Sequence, residues 1–527
     1  MLTPPMFTTS LASTFDRAPI SVPLAIACAF GLMGALSGLP SQPDHEFHLF
    51  VASHYEHAFF SLYEPRWYGG FYITGHPPLL HALTAILGRV PGLGIERAYA
   101  IILAAIPMGL VVAAWMTGGV LARGSSAAPR ASLLVALNPL VYLLLIPFGQ
   151  APFVLAVALG LLSASSFLEG RTGVAAGFGA AAAACHPLGL LLPLAGVVVG
   201  LARAQRIRVA IAAVAMLAVS FVTMWPFFAG YVYGLTRVLP KNPLSLASGT
   251  SFAIVAAMVL GGVALFVAVD KKSSRNARGL GIAGLALAAV AHFGVGPVYW
   301  DKLLFFSALA TALALALDLS RRLSSVVLLL VMIAASYALS LKKPGRTRDQ
   351  RAALVETSAF LAREGHDRFR YMTVGLGKEA LEIGRRTAAG SIDGGMPWLK
   401  TLPELDAQPF YSLDELPLDD ARARSVLEAV LARADALHLA WLISADGRAG
   451  EIAARYGYAT LAAFPGGVVL YQKEVTPLVA ATPAPPVWAK GLPVRGWGVL
   501  WSLAPLLVLA CSIGAFSLRL LRARSSS

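Results

Sequence analysis

Charged residues and cysteine are both scarce in this chain. Only 13% of the 527 residues are charged, 57% are hydrophobic, and the mean hydropathy is +0.68. Because a soluble globular protein carries about 25% charged residues, this composition excludes that class and is typical of a polytopic membrane protein. The three cysteines, Cys28, Cys185 and Cys511, lie in or beside apolar segments. They form no disulfide framework and match no metal-binding spacing.

Motifs for nucleotides and for catalytic zinc are missing as well. The glycine-rich stretch 375–379 (GLGKE) has neither GxGxxG nor Walker A spacing, and the sequence contains no HExxH. A metal site is conceivable only where His54 and His57 flank Glu56, and a polar interfacial helix explains that triplet equally well. We therefore expect no cofactor, with a divalent metal as the alternative, and a lipid-linked sugar donor rather than a soluble nucleotide sugar.

Long apolar segments recur along the chain. About 20 apolar residues in a helix cross the ~30 Å hydrocarbon layer, so the pattern predicts an α-helical polytopic membrane protein with about 11–13 transmembrane helices. The predicted spans are 20–39, 98–121, 131–147, 150–168, 173–185, 188–201, 209–230, 252–269, 280–295, 303–317, 324–341 and 497–518. Segment 77–90 is predicted as an interfacial or re-entrant helix. The short pair within 173–201 is either one bent helix or a re-entrant pair.

The basic residues predict the orientation of the chain. Sixteen Lys and Arg fall on one set of loops and tails of the apolar part, and seven fall on the other. The positive-inside bias places the richer set, with both termini, in the cytoplasm. The net charge is +14, yet region 342–490 is nearly neutral, so the excess predicts contact with anionic lipid. We expect the inner membrane as the location and no nucleic-acid partner.

Composition divides the chain into three predicted regions. Residues 1–341 form a multi-span membrane domain with the first outer loop at 40–97, and 495–527 form a last transmembrane helix with a basic cytoplasmic tail. Between them, 342–494 is predicted as a small extracytoplasmic α/β domain with linkers. Its predicted strands are 369–375, 437–444 and 467–473, and its predicted helices are 353–363, 421–433 and 450–456.

The first outer loop carries the chemistry-bearing residues. Six of the ten histidines lie between His45 and His81. A helix is predicted over 44–60, in which Asp44 and His48 share a face. Sugar transfer from a lipid phosphate needs a carboxylate that removes the proton from the acceptor hydroxyl. It also needs a cation for the departing phosphate. The loop contains both, but a capped interfacial helix without catalysis fits the pattern equally well.

Two strings in this loop resemble a known family. PDHEFHLF, followed by EPRWYGGFYITGHPPLLHALTAIL, is similar to the first outer loop of the GT-C superfamily of membrane glycosyltransferases. More narrowly, the chain resembles the bacterial membrane proteins labelled "6-pyruvoyl-tetrahydropterin synthase-related". FRYMTVGLG, SIDGGMPWLKTLPEL, GVVLYQKE and ACHPLGLLL follow that family's order. The resemblance implies that Asp44 is the catalytic acid of the loop, with Glu46 as the alternate.

Further residues are candidates for substrate binding, each with a structural alternative. Arg66 is the first candidate for the phosphate, although a headgroup-facing arginine is about as reasonable. The remaining candidates are His48, Trp67, Tyr72, His76, His186, Arg237, Lys241, Trp300 and Lys302. His186 can equally be a structural histidine before a proline. Trp300 and Lys302 can equally belong to an interface belt.

These patterns predict a membrane glycosyltransferase that takes a sugar from a polyprenyl-phosphate donor at the outer face. The expected partners are that lipid, the bilayer, and an envelope glycan, lipid or protein as acceptor. Two other classes stay open. A transporter or flippase of lipid-linked glycans would need a polar cavity as well, and a non-catalytic envelope assembly protein would use the soluble domain for binding.

Overall fold

The fold is known from a computed structural model, which describes most of the chain. The described residues are 18–38, 43–67, 69–122, 127–146, 148–202, 206–238, 274–293, 300–318, 348–377, 380–393, 402–406, 408, 412–414, 417–478 and 494–525. Two of the predicted spans, 252–269 and 324–341, lie outside these residues. So does Lys241.

The amino-terminal part is a helical assembly. Its elements are α1 (Ser21–Gly38), α2 (Pro43–His57), β1 (Tyr63–Glu64), β2 (Phe71–Tyr72), α3 (Leu79–Gly88), α4 (Gly94–Leu121), α5 (Ala127–Ala136), α6 (Pro139–Leu145), α7 (Ala151–Leu168), α8 (Thr172–Ala183), α9 (Leu191–Leu201), α10 (Arg206–Val238), α11 (Arg275–Phe293) and α12 (Trp300–Asp318). Helix α4 is central and packs on α1, α5 and α7. The predicted helix at 44–60 is confirmed as α2, which ends three residues earlier.

Several helices have the length and apolarity of a membrane span. Within the described part of the chain, four helices qualify: Gly94–Leu121, Ala151–Leu168, Arg206–Ala229 and Trp497–Leu518. Shorter apolar helices accompany them, including Leu79–Gly88. At ten residues this helix is too short to cross the hydrocarbon layer. The predicted membrane class agrees with these helices, whereas the number of crossings stays a prediction.

One predicted span differs from the structure, whereas the predicted division of 173–201 near Pro187 is present. Segment 131–147 was predicted as one helix, but α5 ends at Ala136 and α6 starts at Pro139. The break occurs because Asn138 is extended and its side chain accepts from the Leu140 amide at 3.0 Å. The 173–201 segment is not one continuous helix. Its two parts are separated by an extended His186 and a 3₁₀ turn at Pro187–Leu190.

The second half of the chain contains a mixed sheet. Its elements are α13 (Arg348–Leu361), β3 (Arg370–Val374), α14 (Ala380–Arg386), β4 (Gly390–Ser391), α15 (Pro403–Asp406), α16 (Ala421–Leu431), α17 (Ala434–Leu437), β5 (Leu439–Ser444), α18 (Ala449–Arg455), β6 (Ala459–Ala463), β7 (Val469–Gln472) and α19 (Val494–Ser525). The strand order is β4-β3-β5-β7-β6. β3 pairs in parallel with β4 and β5, whereas β7 is antiparallel to its neighbours.

The three predicted strands are present as β3, β5 and β7, while β4 and β6 were not predicted. β5 is buried along its full length, because helices cover both faces of the sheet. Leu442 faces the core formed with α16, and Ile443 faces the core formed with α13. The division into a membrane domain and an extracytoplasmic domain stays a prediction, because it depends on the bilayer.

The sheet contacts the first outer loop directly. The Ser391 amide donates to the Arg66 carbonyl at 2.8 Å, and the Gly69 amide donates to the Ser391 carbonyl at 2.6 Å. The Arg370 guanidinium donates to the Gly69 carbonyl at 3.1 Å. Helix α14 packs against α2. The loop therefore extends the edge of the sheet next to β4 and connects the two halves of the molecule.

The last helix contacts the same loop from the opposite side. The Trp501 indole donates to the Tyr55 hydroxyl at 2.7 Å, and the Ser502 hydroxyl donates to the Phe59 carbonyl at 2.7 Å. A Cβ at Gly498 would lie 1.9 Å from the Phe60 carbonyl oxygen, so only glycine allows this approach. Helix α2 is thus held between α14 and α19.

Candidate functional site

The first turn of α2 concentrates acids and histidines. Asp44 and Glu46 lie in this turn, where carboxylates are stabilised by the helix dipole. His45, Glu46 and His48 are buried, whereas Asp44 is half-buried. Positions 44 and 46 are about 200° apart around a helix of 3.6 residues per turn. The two carboxylates therefore meet different surroundings.

His45 fastens this turn to the helical assembly. Its Nε2 lies 2.9 Å from the Ile146 carbonyl and its Nδ1 lies 2.9 Å from the Tyr99 hydroxyl. Because a carbonyl only accepts, Nε2 donates and Nδ1 accepts from Tyr99. Burial lowers the pKa of His45 to about 4. A neutral ring satisfies both contacts, which gives His45 a structural role.

His48 and His81 form a buried pair with a proton deficit. Their rings meet at 3.0 Å, with His48 Nε2 at 2.8 Å from the Gly149 carbonyl and His81 Nδ1 at 3.2 Å from the Pro77 carbonyl. Both carbonyls need a donor, and the contact between the rings needs a third N–H. Two neutral imidazoles supply two N–H groups. The pair therefore lacks one N–H for its three contacts, and burial lowers the pKa of both rings.

Asp44 is oriented by the turn between α6 and α7. The Gln150 side-chain amide donates to its carboxylate at 3.3 Å. Gly149 lies against it with φ of +61°, and a Cβ there would come within 2.5 Å of the Asp44 Cβ. Glycine is therefore required at position 149 for two reasons. Its backbone is left-handed, and a side chain there would come too close to Asp44. The Asp44 carboxylate stays half-buried, so that it is not sealed off from solvent.

Glu46 faces the second half of the molecule. Its carboxylate lies 3.8 Å from Arg385 Nε, and Arg385 also pairs with Glu96 at 2.8 Å. Glu46 is 5% exposed, and the Arg385 side chain is 11% exposed. Arg385 belongs to α14, more than three hundred residues after its partner. The first-turn acids thus differ, one half-buried beside an amide and the other buried beside a guanidinium.

Arg66 is held by Glu64. Its Nε and terminal nitrogen donate to the two carboxylate oxygens at 2.8 and 2.6 Å, and a further bond reaches the Ser53 hydroxyl at 3.1 Å. Burial alone would raise the pKa of Glu64, but hydrogen bonds from Arg66 and His54 lower it to about 2. The phosphate-binding role of Arg66 stays a prediction. In this geometry a phosphate has to compete with a bidentate carboxylate.

The aromatic candidates of the loop lie in its packing core. Trp67 is buried, with its ring centroid 5.8 Å from that of Phe47 and 5.4 Å from that of Phe50. Tyr72 is half-buried and its ring meets that of Tyr63 at 5.5 Å. These contacts place Trp67 in the support of the loop. Tyr72 is the more accessible of the two.

His76, His186 and Lys302 lie on the other side of His48. The His76 ring is 4.4 Å from that of Phe47, and burial followed by the charge of His48 lowers the pKa of His76 to about 3. Burial, Lys302 and His76 together lower the pKa of His186. The Phe153 ring connects these groups, at 5.3 Å from the His186 ring and 5.9 Å from Lys302 Nζ. The structure thus places His48, His76, His186 and Lys302 in one electrostatic neighbourhood.

The remaining candidates are not positioned by described side chains. Arg237 and Trp300 lie at ends of α10 and α12, where only the backbone is described.

At the suggested metal triplet, His54 Nδ1 lies 3.0 Å from a Glu64 oxygen and His57 Nδ1 lies 2.7 Å from the Ser53 carbonyl. Within the described ranges, no three His, Cys, Asp or Glu side chains are grouped as metal ligands.

Sequence reasoning missed Arg385, Tyr99, His81 and Gln150 as parts of this site. Gln150 and Tyr99 each lie inside a predicted span. Arg385 lies in a predicted soluble domain with nothing local to connect it to the loop. His81 carried the one available signal, since it belongs to the histidine cluster that begins at His45.

Comparisons with known proteins add a distant structural likeness. No family model and no curated protein sequence matches the chain. Among solved structures, the crystal structure of ArnT from Cupriavidus metallidurans bound to undecaprenyl phosphate is similar over 86% of this chain and 97% of ArnT. The sequence identity is 13% and the TM-score is 0.38. A likeness this distant carries no argument about function, which has to come from the residues themselves.

Proposed function

We propose that this chain is a GT-C-like membrane glycosyltransferase that moves a sugar from a polyprenyl-phosphate donor to an envelope acceptor, with Asp44 as general base. The observation that carries the assignment is the difference between the two first-turn acids. Asp44 is half-buried and held by Gln150 at 3.3 Å, whereas Glu46 is buried beside Arg385 at 3.8 Å. Asp44 is therefore the acid that an acceptor hydroxyl can reach.

The proposed reaction is a direct displacement. The acceptor oxygen forms a bond to the anomeric carbon while the bond from that carbon to the phosphate oxygen breaks. The departing polyprenyl phosphate keeps the electron pair, and the acceptor proton goes to the Asp44 carboxylate. Phosphate leaves without protonation, so one carboxylate suffices. Inversion at the anomeric carbon is expected.

Lys302 is the cation we assign to the donor phosphate. It is buried beside Phe153 and His186, and a buried ammonium interacts strongly with an anion because the local dielectric constant is low. Arg66, whose guanidinium donates to Glu64, is the alternative cation. His76 and His186 lie close enough to His48 and Lys302 to interact electrostatically, and we assign them the hydrogen bonds to the sugar. Both ring nitrogens of His48 already contact His81 and the Gly149 carbonyl.

The proposal includes the location of the reaction. By charge bias the loop lies at the outer face of the inner membrane, with both termini cytoplasmic and the sheet extracytoplasmic. The lipid donor then approaches from the bilayer, and the acceptor is a lipid-linked glycan, a polysaccharide or a protein. The sugar and the acceptor are left open.

Native mass spectrometry of the protein purified in mild detergent from bacterial membranes tests the lipid assignment. We expect a co-purified isoprenoid phosphate whose occupancy falls about tenfold in Lys302→Gln, since a charge-assisted contact contributes about 1.5–3 kcal/mol. Lys473→Gln is the matched control, because the side chain of its partner Asp435 is 69% exposed. Absence of any isoprenoid phosphate from the wild-type protein would contradict the proposal.

A substitution of Asp44 separates an enzyme from a transporter or an assembly protein. Asp44→Asn is expected to keep the bound lipid but to fail to complement the envelope defect of a strain that lacks the gene. Full complementation by Asp44→Asn at normal protein level would instead favour lipid translocation or scaffolding.

A further inference from the structure

The hairpin of β1 and β2 in the first outer loop has two different faces. Its register places Tyr63 directly opposite Tyr72, so both rings lie on one face, with their centroids 5.5 Å apart. Glu64 and Phe71 form the next pair of the register, and both are buried. Tyr63 and Tyr72 are half-buried. The hairpin therefore packs on one face and presents two tyrosines on the other.

Arg370 of the sheet lies beside this tyrosine face. It is half-buried, and its guanidinium donates to the Gly69 carbonyl at 3.1 Å. The Tyr63 hydroxyl lies over the next residue, Gly70, where a Cβ would overlap it. Arg370 and Tyr63 are close enough to interact electrostatically. The fold thus brings an arginine from the second half of the chain to the tyrosines of the loop.

Arg370 differs from other arginines near the loop in its partners. Arg66, Arg385 and Arg386 pair with carboxylates at 2.6, 2.8 and 2.9 Å. Within the part of the chain that the structure describes, no carboxylate lies within ion-pair distance of Arg370. A guanidinium has five N–H donors, and the Gly69 carbonyl accepts from one of its nitrogens. The other donors suit an anionic ligand, which a guanidinium binds through two parallel hydrogen bonds.

We propose that Tyr63, Tyr72 and Arg370 form a binding site for an acidic saccharide of the acceptor. A sugar has an apolar ring face and a rim of hydroxyl groups, and a tyrosine offers an apolar ring with a polar tip to such a surface. The guanidinium supplies the charge that selects a sugar with a carboxylate. The role as acceptor site rests on the proposed function, whereas the preference for acidic sugars depends on the three side chains alone.

The hairpin lies close to the proposed reaction centre. Tyr72 precedes His76 by four residues, and the His76 ring is 4.4 Å from that of Phe47, one turn of α2 after Asp44. Because an extended chain advances about 3.3–3.6 Å per residue, the Cα atoms of Tyr72 and His76 are at most about 14 Å apart. A short oligosaccharide spans that distance. An acceptor held at the tyrosines can therefore place its terminal hydroxyl near Asp44.

Binding of two matched probes to the purified full-length protein in phosphatidylcholine nanodiscs tests the site without transfer. Hexagalacturonate carries a carboxylate on every sugar, the corresponding galactohexaose carries none, and isothermal titration calorimetry measures both dissociation constants. We expect the wild type to bind hexagalacturonate more tightly. Arg370→Gln should weaken hexagalacturonate about tenfold, because a charge-assisted contact is lost, and should change galactohexaose little. Tyr72→Ala should weaken both probes about threefold or more.

Two further variants separate binding from a role in folding. Arg370→Lys keeps the charge without the planar fork, so its preference for the acidic probe should lie between those of the wild type and Arg370→Gln. Loss of folded protein would instead reduce the binding of both probes alike. Arg455→Gln is the matched control, because the Arg455 side chain is 61% exposed and pairs with Glu428 at 2.8 Å. It should bind both probes like the wild type.

Equal binding of the two probes by the wild type, or no binding of hexagalacturonate, would overturn the inference. So would a folded Arg370→Gln that keeps the wild-type preference. If Arg370→Gln does not fold, Arg370→Lys decides through a reduced preference or its absence. A co-purified anionic phospholipid lost from Arg370→Gln, with equal binding of both probes by the wild type, would assign the guanidinium to a lipid headgroup instead. Acid-selective binding without transfer activity would reject only the proposed function.

Discussion

The two ends of α2 carry similar residues and use them differently. At the carboxyl-terminal end, His54, Glu64, Arg66 and Ser53 form a closed network in which each charged group meets an opposite partner. At the amino-terminal end, Asp44 meets a neutral amide, and the histidine pair lacks one proton for its three contacts. A buried network in which every group is paired favours a rigid structure. The groups at the amino-terminal end of α2 are better suited to exchange protons and ligands.

The difference also explains why composition alone could not rank the candidates. EPRW offers an arginine that looks suitable for a phosphate, yet Glu64 two residues before it accepts two hydrogen bonds from one edge of the guanidinium. Asp44 looks like a helix cap, yet it is the acid that remains half-buried. Function depends on which acid stays accessible, and tertiary contacts decide that.

Removing Glu64 should produce the largest loss of stability. Glu64→Gln leaves Arg66 and His54 buried without their carboxylate, and breaking such a pair costs about 3–5 kcal/mol. Thermal unfolding in lipid nanodiscs measures the effect. Glu169→Gln is the control, because its ion pair with Arg171 at 2.9 Å is largely solvated and contributes about 1 kcal/mol or less. Equal losses of thermal stability in Glu64→Gln and Glu169→Gln would refute the claim that the buried network contributes more than the Glu169–Arg171 ion pair.

Gly149→Ala should produce the second-largest loss of stability, at the amino-terminal end of α2. The new Cβ requires a left-handed backbone at +61° and meets Asp44 at 2.5 Å, which together cost about 2–3 kcal/mol. Gly109→Ala is the control, because nothing lies within 4 Å of its new Cβ. It should be neutral or slightly stabilising. A lowered melting temperature for Gly149→Ala only is expected. Equal melting temperatures would contradict the close contact.

A fall in pH should destabilise the amino-terminal end of α2 before it destabilises the network around Glu64. Burial lowers the pKa of His45 from 6.5 to about 4, so the unfolded chain binds more protons between these values and stability falls as the pH drops. The loss is about 2 kcal/mol between pH 7 and 5. Glu64, with a pKa of about 2, contributes above pH 4.5 and is lost only at lower pH.

His45→Gln tests this order, because glutamine has one donor and one acceptor but does not titrate there. Its melting temperature should fall less than that of the wild type between pH 7 and 5. His76 retains part of the dependence, since its pKa is about 3. An identical pH dependence in the variant and the wild type would show that His45 is not held neutral.

The smallest effect concerns the link between α2 and the last helix. Trp501→Phe keeps an aromatic ring but removes the donor to the buried Tyr55 hydroxyl, at a cost of about 1 kcal/mol. Tyr55→Phe should cost about the same, and the double variant no more than either one. Additive losses in melting temperature would mean that the two groups are independent.

Sequence patterns predicted local helices and strands, but they did not predict which distant residues come into contact. Helix α2 and strands β3, β5 and β7 follow from periodicity that neighbouring residues carry. The break at Asn138–Pro139 was missed because apolar residues on both sides concealed a capping asparagine and a proline at a helix start. The Glu46–Arg385 pair could not be predicted, since it forms only when the sheet docks on the loop. Gly149 carries no signal for its contact with Asp44 for the same reason.

The most direct test of the central claim measures the release of polyprenyl phosphate from a panel of polyprenyl-phosphate sugars by purified protein in nanodiscs, with a bacterial envelope extract as the source of acceptor hydroxyls. With Asp44 as general base, Asp44→Asn should reduce the release rate about 10²–10⁴-fold while lipid binding and melting temperature stay at wild-type values. Glu46→Gln should keep most of the rate. Release by Asp44→Asn at the wild-type rate would contradict the account.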